Sequence, residues 1–264
     1  MTIGFIGLGN MAKAMIGGIL AKGLTGPNEI IGTAATEETR LKVANKYGIQ
    51  TRSSNEAVAK EADIIFLAVK PQYLKVVIAD IMDSIDENKV VVSIAAGKTI
   101  SWLAKEFEKP VKLIRVMPNT PALVLEGCSA VCRNDNVTDD DFHFVLELLE
   151  SFGKAYTVPE SMMDVVVGIS GSSPAYVFLF IEAMADAAVA GGMPRKQAYE
   201  FAAQSVLGSA KMVLETGKHP GELKDMVCSP AGTTIEAVKK LEEKGFRSAV
   251  IEAVEACINK SKSL

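Results

Sequence analysis

At 264 residues, with 48% hydrophobic and 23% charged side chains, the chain has an ordinary soluble globular composition and room for one large domain or two modest ones. A net charge of −4 and the absence of any Lys/Arg-rich cluster argue against a nucleic-acid partner. The start is too glycine-rich and too short in apolar run for a signal peptide, and no uncharged apolar run of roughly 18 residues crosses the chain, so a cytoplasmic protein with no membrane partner is expected.

The first element is a short apolar strand ending at Ile6. A glycine turn follows, and a helix opens near Asn10. Gly7-x-Gly9-x-x-Ala12 in that turn fits the dinucleotide fingerprint G-x-G-x-x-G/A. Gly7 permits the tight turn, Gly9 lets a pyrophosphate approach the backbone, and Ala12 lets the helix pack close to the strand. The free N–H groups and positive dipole end of the helix then face the phosphates. Ile6, Gly7, Gly9, Asn10, Met11 and Ala12 are therefore assigned to cofactor binding.

Residues 1–160 alternate strand and helix. Strands are expected at 2–6, 29–33, 63–68, 89–94, 111–116, 127–132 and 154–158, and helices at 10–22, 37–47, 55–61, 72–83, 99–107 and 138–151. That alternation predicts an α/β fold, a largely parallel Rossmann sheet with helices on both faces. The runs Ile64–Val69 and Val90–Ile94 are continuously apolar, as strands buried on both faces are.

After the second strand, Gly32-Thr33-Ala34-Ala35-Thr36 carries no acid before Glu37. A carboxylate there would bond ribose hydroxyls and repel a 2′-phosphate, so its absence permits NADPH. Thr33 and Thr36 offer hydroxyls, and Arg40 and Arg52 offer cations. NADPH is the preferred cofactor on this reading, with NADH the alternative.

Ligands of open α/β sheets lie beyond the carboxyl ends of the strands. That rule sets Ala68, Val69, Lys70 and Pro71 beside the cofactor. Ala95, Ala96 and Gly97 are small enough to leave room for a nicotinamide ring. Asn119 and Thr120 offer hydrogen bonds to cofactor or substrate. Cys128 and Cys132 share one face of a strand with no histidine near, which favours free, at least half-buried thiols over a metal site. Neither His143 nor His219 is assigned a role.

From about residue 160 the strands stop, and helices are expected at 161–168, 174–192, 195–217, 220–227, 230–243 and 246–261. The helix of 175–190 is apolar nearly all round, so it should be buried on most sides. A helical domain this thin calls for a partner subunit. Two segments share one construction. Ser170-Gly171-Ser172-Ser173-Pro174 and Ser229-Pro230-Ala231-Gly232-Thr233-Thr234 each read as hydroxyls and a proline opening a helix, with Ser229 as an N-cap. Such starts bind anions, and the threonine pair exceeds what a cap requires, which favours a carboxylate.

Taken together, these motifs resemble the pyrroline-5-carboxylate reductases, along essentially the whole chain and at family spacing. The matching pieces are the opening fingerprint, Leu67-Ala68-Val69-Lys70-Pro71, Ala95-Ala96-Gly97, Met117-Pro118-Asn119-Thr120-Pro121, Gly171-Ser172-x-Pro174-Ala175-Tyr176, His219-Pro220-Gly221-x-Leu223-Lys224-Asp225, Ser229-Pro230-x-Gly232-Thr233-Thr234 and Gly245-Phe246-Arg247. The resemblance implies a Rossmann domain (1–160) followed by an all-α dimerisation and substrate-binding domain (161–264). It also implies homodimers that assemble into larger rings such as a decamer, and NAD(P)H reduction of a cyclic imino acid, the last step of proline biosynthesis. Carried onto this chain, the fingerprint turn, Asn55, Ala68, Val69, Lys70 and Ala95 contact the cofactor. Ser172, Thr233 and Thr234 hold the substrate carboxylate, with Ser229 and Gly232 beside them and Ser172 and Thr234 as the catalytic assignments.

Three departures stand out. Ser173 replaces the glycine of a serine-glycine-proline, and Ala231 replaces a glycine in proline-glycine-glycine. Each adds a small side chain beside the substrate, where it bears on affinity or on the substrates admitted. Ala34 stands where some relatives carry serine, which weakens the NADPH preference.

Reducing a ketone leaves an alkoxide that needs an acid such as Lys or His. The related β-hydroxyacid dehydrogenases place a lysine early in the interdomain helix, whereas residues 161–194 hold no Lys, Arg or His. A protonated imine already carries its charge, so positioning and carboxylate anchoring suffice. A hydroxyacid dehydrogenase and a nucleotide-sensing binding protein are the competing readings. The missing lysine argues against the first, and the polar helix starts of the second half argue against the other.

Overall fold

The structure, a computed structural model, describes residues 1–263. They form two compact units: residues 1–172 joined by 257–263, and residues 173–256.

The first unit is built on an eight-stranded sheet of β1 (Ile3–Ile6), β2 (Ile30–Thr33), β3 (Gln50–Thr51), β4 (Ile64–Leu67), β5 (Val90–Ser93), β6 (Lys112–Met117), β7 (Gly127–Arg133) and β8 (Gly153–Thr157). The order is β3-β2-β1-β4-β5-β6-β7-β8, and only the β6–β7 pair is antiparallel. The first six strands follow the doubly wound dinucleotide-binding order, in which strand order reverses between β1 and β4. The antiparallel pair arises because β6 and β7 are joined by a short turn over Thr120–Val124, with no crossover helix between them. Strand β3 is two residues long and was not expected; a pair that short has no periodicity to read.

The helices of this unit are α1 (Asn10–Ala21), α2 (Glu37–Tyr47), α3 (Asn55–Glu61), α4 (Leu74–Ile81), α5 (Ile100–Phe107), α6 (Asp139–Glu150) and α7 (Met163–Val166). Side chains alternate across the central strands, so each face of the sheet buries its own core. Ile3, Phe5, Phe66 and Val92 pack with Met15 and Ile19 of α1 and with Val145 and Leu149 of α6. Ile6, Ile65, Leu67 and Val91 pack with Val58 of α3, Ile78 of α4 and Phe107 of α5. Phe5 and Phe66 stack with ring centroids 4.9 Å apart.

The second unit comprises α8 (Ser173–Ala190), α9 (Arg195–Thr216), α10 (Pro220–Val227), α11 (Thr233–Glu243) and most of α12 (Phe246–Lys262). Within this single chain α8 is not buried as expected. Of its residues only Ala185 is fully buried, while Phe178 and Leu179 are 63% and 67% exposed. Phe201 and Leu214 of α9 are exposed as well.

Candidate active site

The fingerprint turn lies at the strand-order reversal. Gly7 N–H donates to the Thr33 carbonyl (2.9 Å), and Ala68 N–H donates to the Ile6 carbonyl (2.8 Å). Three strand ends therefore meet at one point, those of β1, β2 and β4. Gly7 has φ +98°, and a Cβ on it would lie 2.6 Å from the Ala68 carbonyl oxygen. Ala12 is fully buried, so α1 packs down on the strand layer.

Gly9 is different. It is exposed, its φ is ordinary, and a Cβ built on it would meet nothing within 4 Å. Nothing inside the chain requires glycine there. It is the N-cap of α1, with no side-chain cap and no acid in the first turn, so the helix end presents backbone N–H groups outward. That is a cradle for an anion such as a pyrophosphate, and these residues fit the dinucleotide that the fingerprint implies.

Around this turn, Thr33 is buried at the end of β2 and Thr36 caps α2. The two candidate cations behave differently. Arg52 is held by Glu61, donating from Nε (2.6 Å) and Nη2 (2.5 Å), and the Glu61 carboxylate raises its pKa. Arg40 remains at the end of β2, donating from Nη1 to the Ala34 carbonyl (2.7 Å). Asn55 opens α3 and donates from Nδ2 to Asp80 (2.9 Å). Beyond β4, Ala68 and Val69 are half-buried, Lys70 is exposed, and Pro71 opens a short turn. Ala95 is buried beyond β5. The sheet thus lines up Gly7, Thr33, Ala68 and Ala95 along its carboxyl edge.

Beyond β6, Asn119 is 8% exposed and its side chain is engaged at both ends. Its Oδ1 accepts from Cys128 N–H (2.8 Å), and its Nδ2 donates to the Ser170 carbonyl (3.1 Å). Ser170 belongs to a π-helical turn over Val167–Gly171, part of a continuous helical run over Glu160–Ala190. The expected free helix start at Ser172 is therefore absent, because Ser172 N–H donates to the Val167 carbonyl (2.9 Å). The Ser172 hydroxyl accepts from the Cys257 thiol (3.1 Å).

In the second unit, α11 opens three residues later than the sequence suggested. Its N-cap is Gly232, not Ser229, and Pro230 and Ala231 form the preceding turn. Thr233 and Thr234 are thus the first two residues of the helix. Neither hydroxyl has a hydrogen-bond partner among the described residues, so both remain available to an acceptor brought from outside the chain. Gly232 N–H donates to the Ser229 carbonyl (3.0 Å), and a Cβ on Gly232 would lie 3.1 Å from that oxygen. Ala231 has φ +57°, a left-handed backbone in which glycine is the usual residue, so the turn keeps its shape despite the alanine.

All four cysteines are free, and no metal cluster occurs among the described residues. Burial, helped by the nearby Glu160 charge, pushes the Cys132 thiol up to about 11. His219 serves as the N-cap of α10, accepting from Gly221 N–H (3.0 Å). Sequence reasoning missed the half-buried pair Arg115–Glu160 (3.0 Å), whose Glu160 also accepts from Ile100 N–H (2.7 Å). An arginine inside the apolar run of β6 was its only signal.

An eight-stranded doubly wound sheet with an open glycine cradle at its switch point, followed by a helical unit, defines a dinucleotide-binding protein with an appended α domain. Residues 160–264 match the family model for pyrroline-5-carboxylate reductase dimerisation, and residues 2–97 match that for coenzyme F420-dependent NADP oxidoreductase. The chain is 56% identical to the pyrroline-5-carboxylate reductase of Escherichia coli over 99% of this chain and 97% of that one. Its identity to the Methanosarcina acetivorans enzyme is 47% over the same shares of the two chains. Among solved structures, the Coxiella burnetii pyrroline-5-carboxylate reductase superposes with a TM-score of 0.92 at 35% identity, covering 99% of this chain and 97% of that one. The Plasmodium falciparum pyrroline carboxylate reductase with NADP bound superposes with a TM-score of 0.89 at 34% identity, covering 100% and 97%. The chain belongs to the pyrroline-5-carboxylate reductase family.

Proposed function

We propose that the chain reduces (S)-1-pyrroline-5-carboxylate to L-proline with NAD(P)H, the last step of proline biosynthesis. The observation that carries this reading is relatedness along the whole length, 56% identity over 99% of the chain, to a protein named for that activity. The open cradle at Gly9 supports it independently. The reduced nicotinamide supplies the hydride.

The chain's own part is binding and positioning. The turn Gly7–Ala12 holds the pyrophosphate through the backbone N–H groups of α1. Asn55, Ala68, Val69, Lys70, Pro71 and Ala95 border the cofactor, and Arg40 near Thr33 favours a 2′-phosphate, hence NADPH over NADH. Thr233 and Thr234, with Ser229 and Gly232 before them and Ser172 on the long helix, hold the substrate carboxylate. No lysine, arginine or histidine occurs over 161–194, in keeping with an imine that is already protonated and becomes a neutral amine. Residues 1–160 bind the cofactor, and residues 161–264 dimerise and bind substrate.

The run Glu160–Ala190 is long and apolar enough to cross a bilayer by length and composition. The dimerisation match over the same residues supports cover by a second copy instead. The working form is a homodimer, built up into a ring such as a decamer, in the cytoplasm, with neither membrane nor nucleic acid as partner. NADPH oxidation followed on adding the cyclic imine, with 3-hydroxy acids and NADP⁺ run beside it, tests the reading. Turnover of the imine alone is expected, and turnover of the hydroxy acids alone would replace it with the dehydrogenase reading.

A further inference from the structure

Pro174 has no N–H, so the α-helical partner of the Ser170 carbonyl is missing for covalent reasons. The helix meets this by widening into the π turn over Val167–Gly171, where Ser172 N–H reaches back to Val167. π-helical turns of this kind recur at functional sites. Here the loosened carbonyl takes a donor from outside the helix, Asn119 Nδ2. The other end of that amide is fixed by Cys128 N–H at the start of β7, and the side chain is buried. Gly171 packs against the same strand end, since a Cβ on it would lie 2.9 Å from Met117 Cε. The π turn is thereby tied to the last residues of β6, and Ser172 follows it directly.

We infer that Asn119 is a positioning residue, acting through the Ser170 carbonyl to fix the π turn and thereby place Ser172 for the substrate carboxylate. The inference rests on the proposed role of Ser172. It assigns Asn119 a task apart from cofactor contact. An amide is the side chain that fits, because the site needs one acceptor and one donor about a side chain apart.

Asn119→Asp keeps the acceptor for Cys128 and sets an oxygen against the Ser170 carbonyl. The test measures KM for the imine, kcat and the NADPH dissociation constant for N119D, S172A and the double variant as full-length proteins. Asn119→Ala carries the same comparison if N119D does not fold. S172A and N119D are each expected to raise KM about tenfold, the scale of effect when a positioning contact slips. NADPH affinity should stay within about twofold, and the double variant should be no worse than either single one. An unchanged KM in S172A would remove Ser172 from the site, and the inference with it. A raised KM in S172A beside an unchanged KM in N119D, effects that multiply in the double variant, or weakened NADPH binding in N119D would each overturn the inference while leaving the reductase reading intact.

Discussion

Gly7 and Ala68 approach so closely that a single methyl group on Gly7 would lie 2.6 Å from the Ala68 carbonyl oxygen. They stand at the ends of the two adjacent strands between which the sheet reverses its order, β1 and β4. Gly7 is also at φ +98°, so two separate constraints demand glycine. Gly7→Ala is therefore expected to lose roughly 1–3 kcal/mol from backbone strain alone, and more from the clash. It should also lose NADPH binding, because the turn that aims the N–H groups of α1 is displaced. Thermal unfolding together with a fluorescence titration of NADPH checks this; wild-type affinity in a folded G7A protein would contradict it.

Ala231 makes the opposite case. An alanine at φ +57° carries a left-handed penalty of roughly 1–2 kcal/mol. Part of any gain from glycine is lost to the greater freedom of the unfolded chain. Ala231→Gly is expected to stabilise the protein by about 0.5–1 kcal/mol, read as a higher denaturant midpoint. A lower midpoint would mean that the alanine methyl makes a contact worth more than the strain.

The fold was legible in the sequence where periodicity and glycine chemistry speak locally. The strands, the helices and the fingerprint turn follow from apolar runs and from Gly7-x-Gly9-x-x-Ala12. Strand β3 was illegible because two residues have no period. The start of α11 was misplaced because a serine-proline pair mimics an N-cap, whereas the backbone turns once more at Ala231 before Gly232. The π turn was hidden for a similar reason. Serines before Pro174 suggest a helix start, whereas the bond from Ser172 N–H to the Val167 carbonyl carries the helix through. The engagement of Arg52 by Glu61 depends on tertiary placement that no local motif records.

The N-terminus of α6 gives a pH-dependent prediction. Burial works to raise the Asp141 carboxyl, but bonds from Lys112 Nζ (2.8 Å) and the Thr138 hydroxyl (2.7 Å) outweigh it and hold the group below the ordinary aspartate value. The folded state therefore prefers the ionised form. The stability this adds is fully present above the unfolded-state value of about 3.9 and is lost as pH falls through the lower folded value. Asp141→Asn is expected to cost roughly 1 kcal/mol at pH 7, and the gap between variant and wild type should close below about pH 4. A gap that persists in acid would assign the loss to packing.

Thr234 is the second residue of α11, and its hydroxyl has no partner among the described residues. On the proposed reading it donates to the substrate carboxylate, and a hydrogen bond to a charged group is worth roughly 1.5–3 kcal/mol. Thr234→Ala should then lower kcat/KM for the imine by about 10- to 100-fold while leaving NADPH affinity nearly unchanged. Unaltered imine kinetics would remove Thr234 from the site.

On the proposed reading, a reduced nicotinamide held at the strand-order reversal delivers hydride to a cyclic imine. The most direct test of that transfer is to quantify L-proline formed from (S)-1-pyrroline-5-carboxylate with NADPH and with NADH in parallel. L-proline in amounts equal to the cofactor oxidised, and faster with NADPH, is the predicted result. Oxidation of neither cofactor and no proline, from protein that still binds NADPH, would contradict that reading.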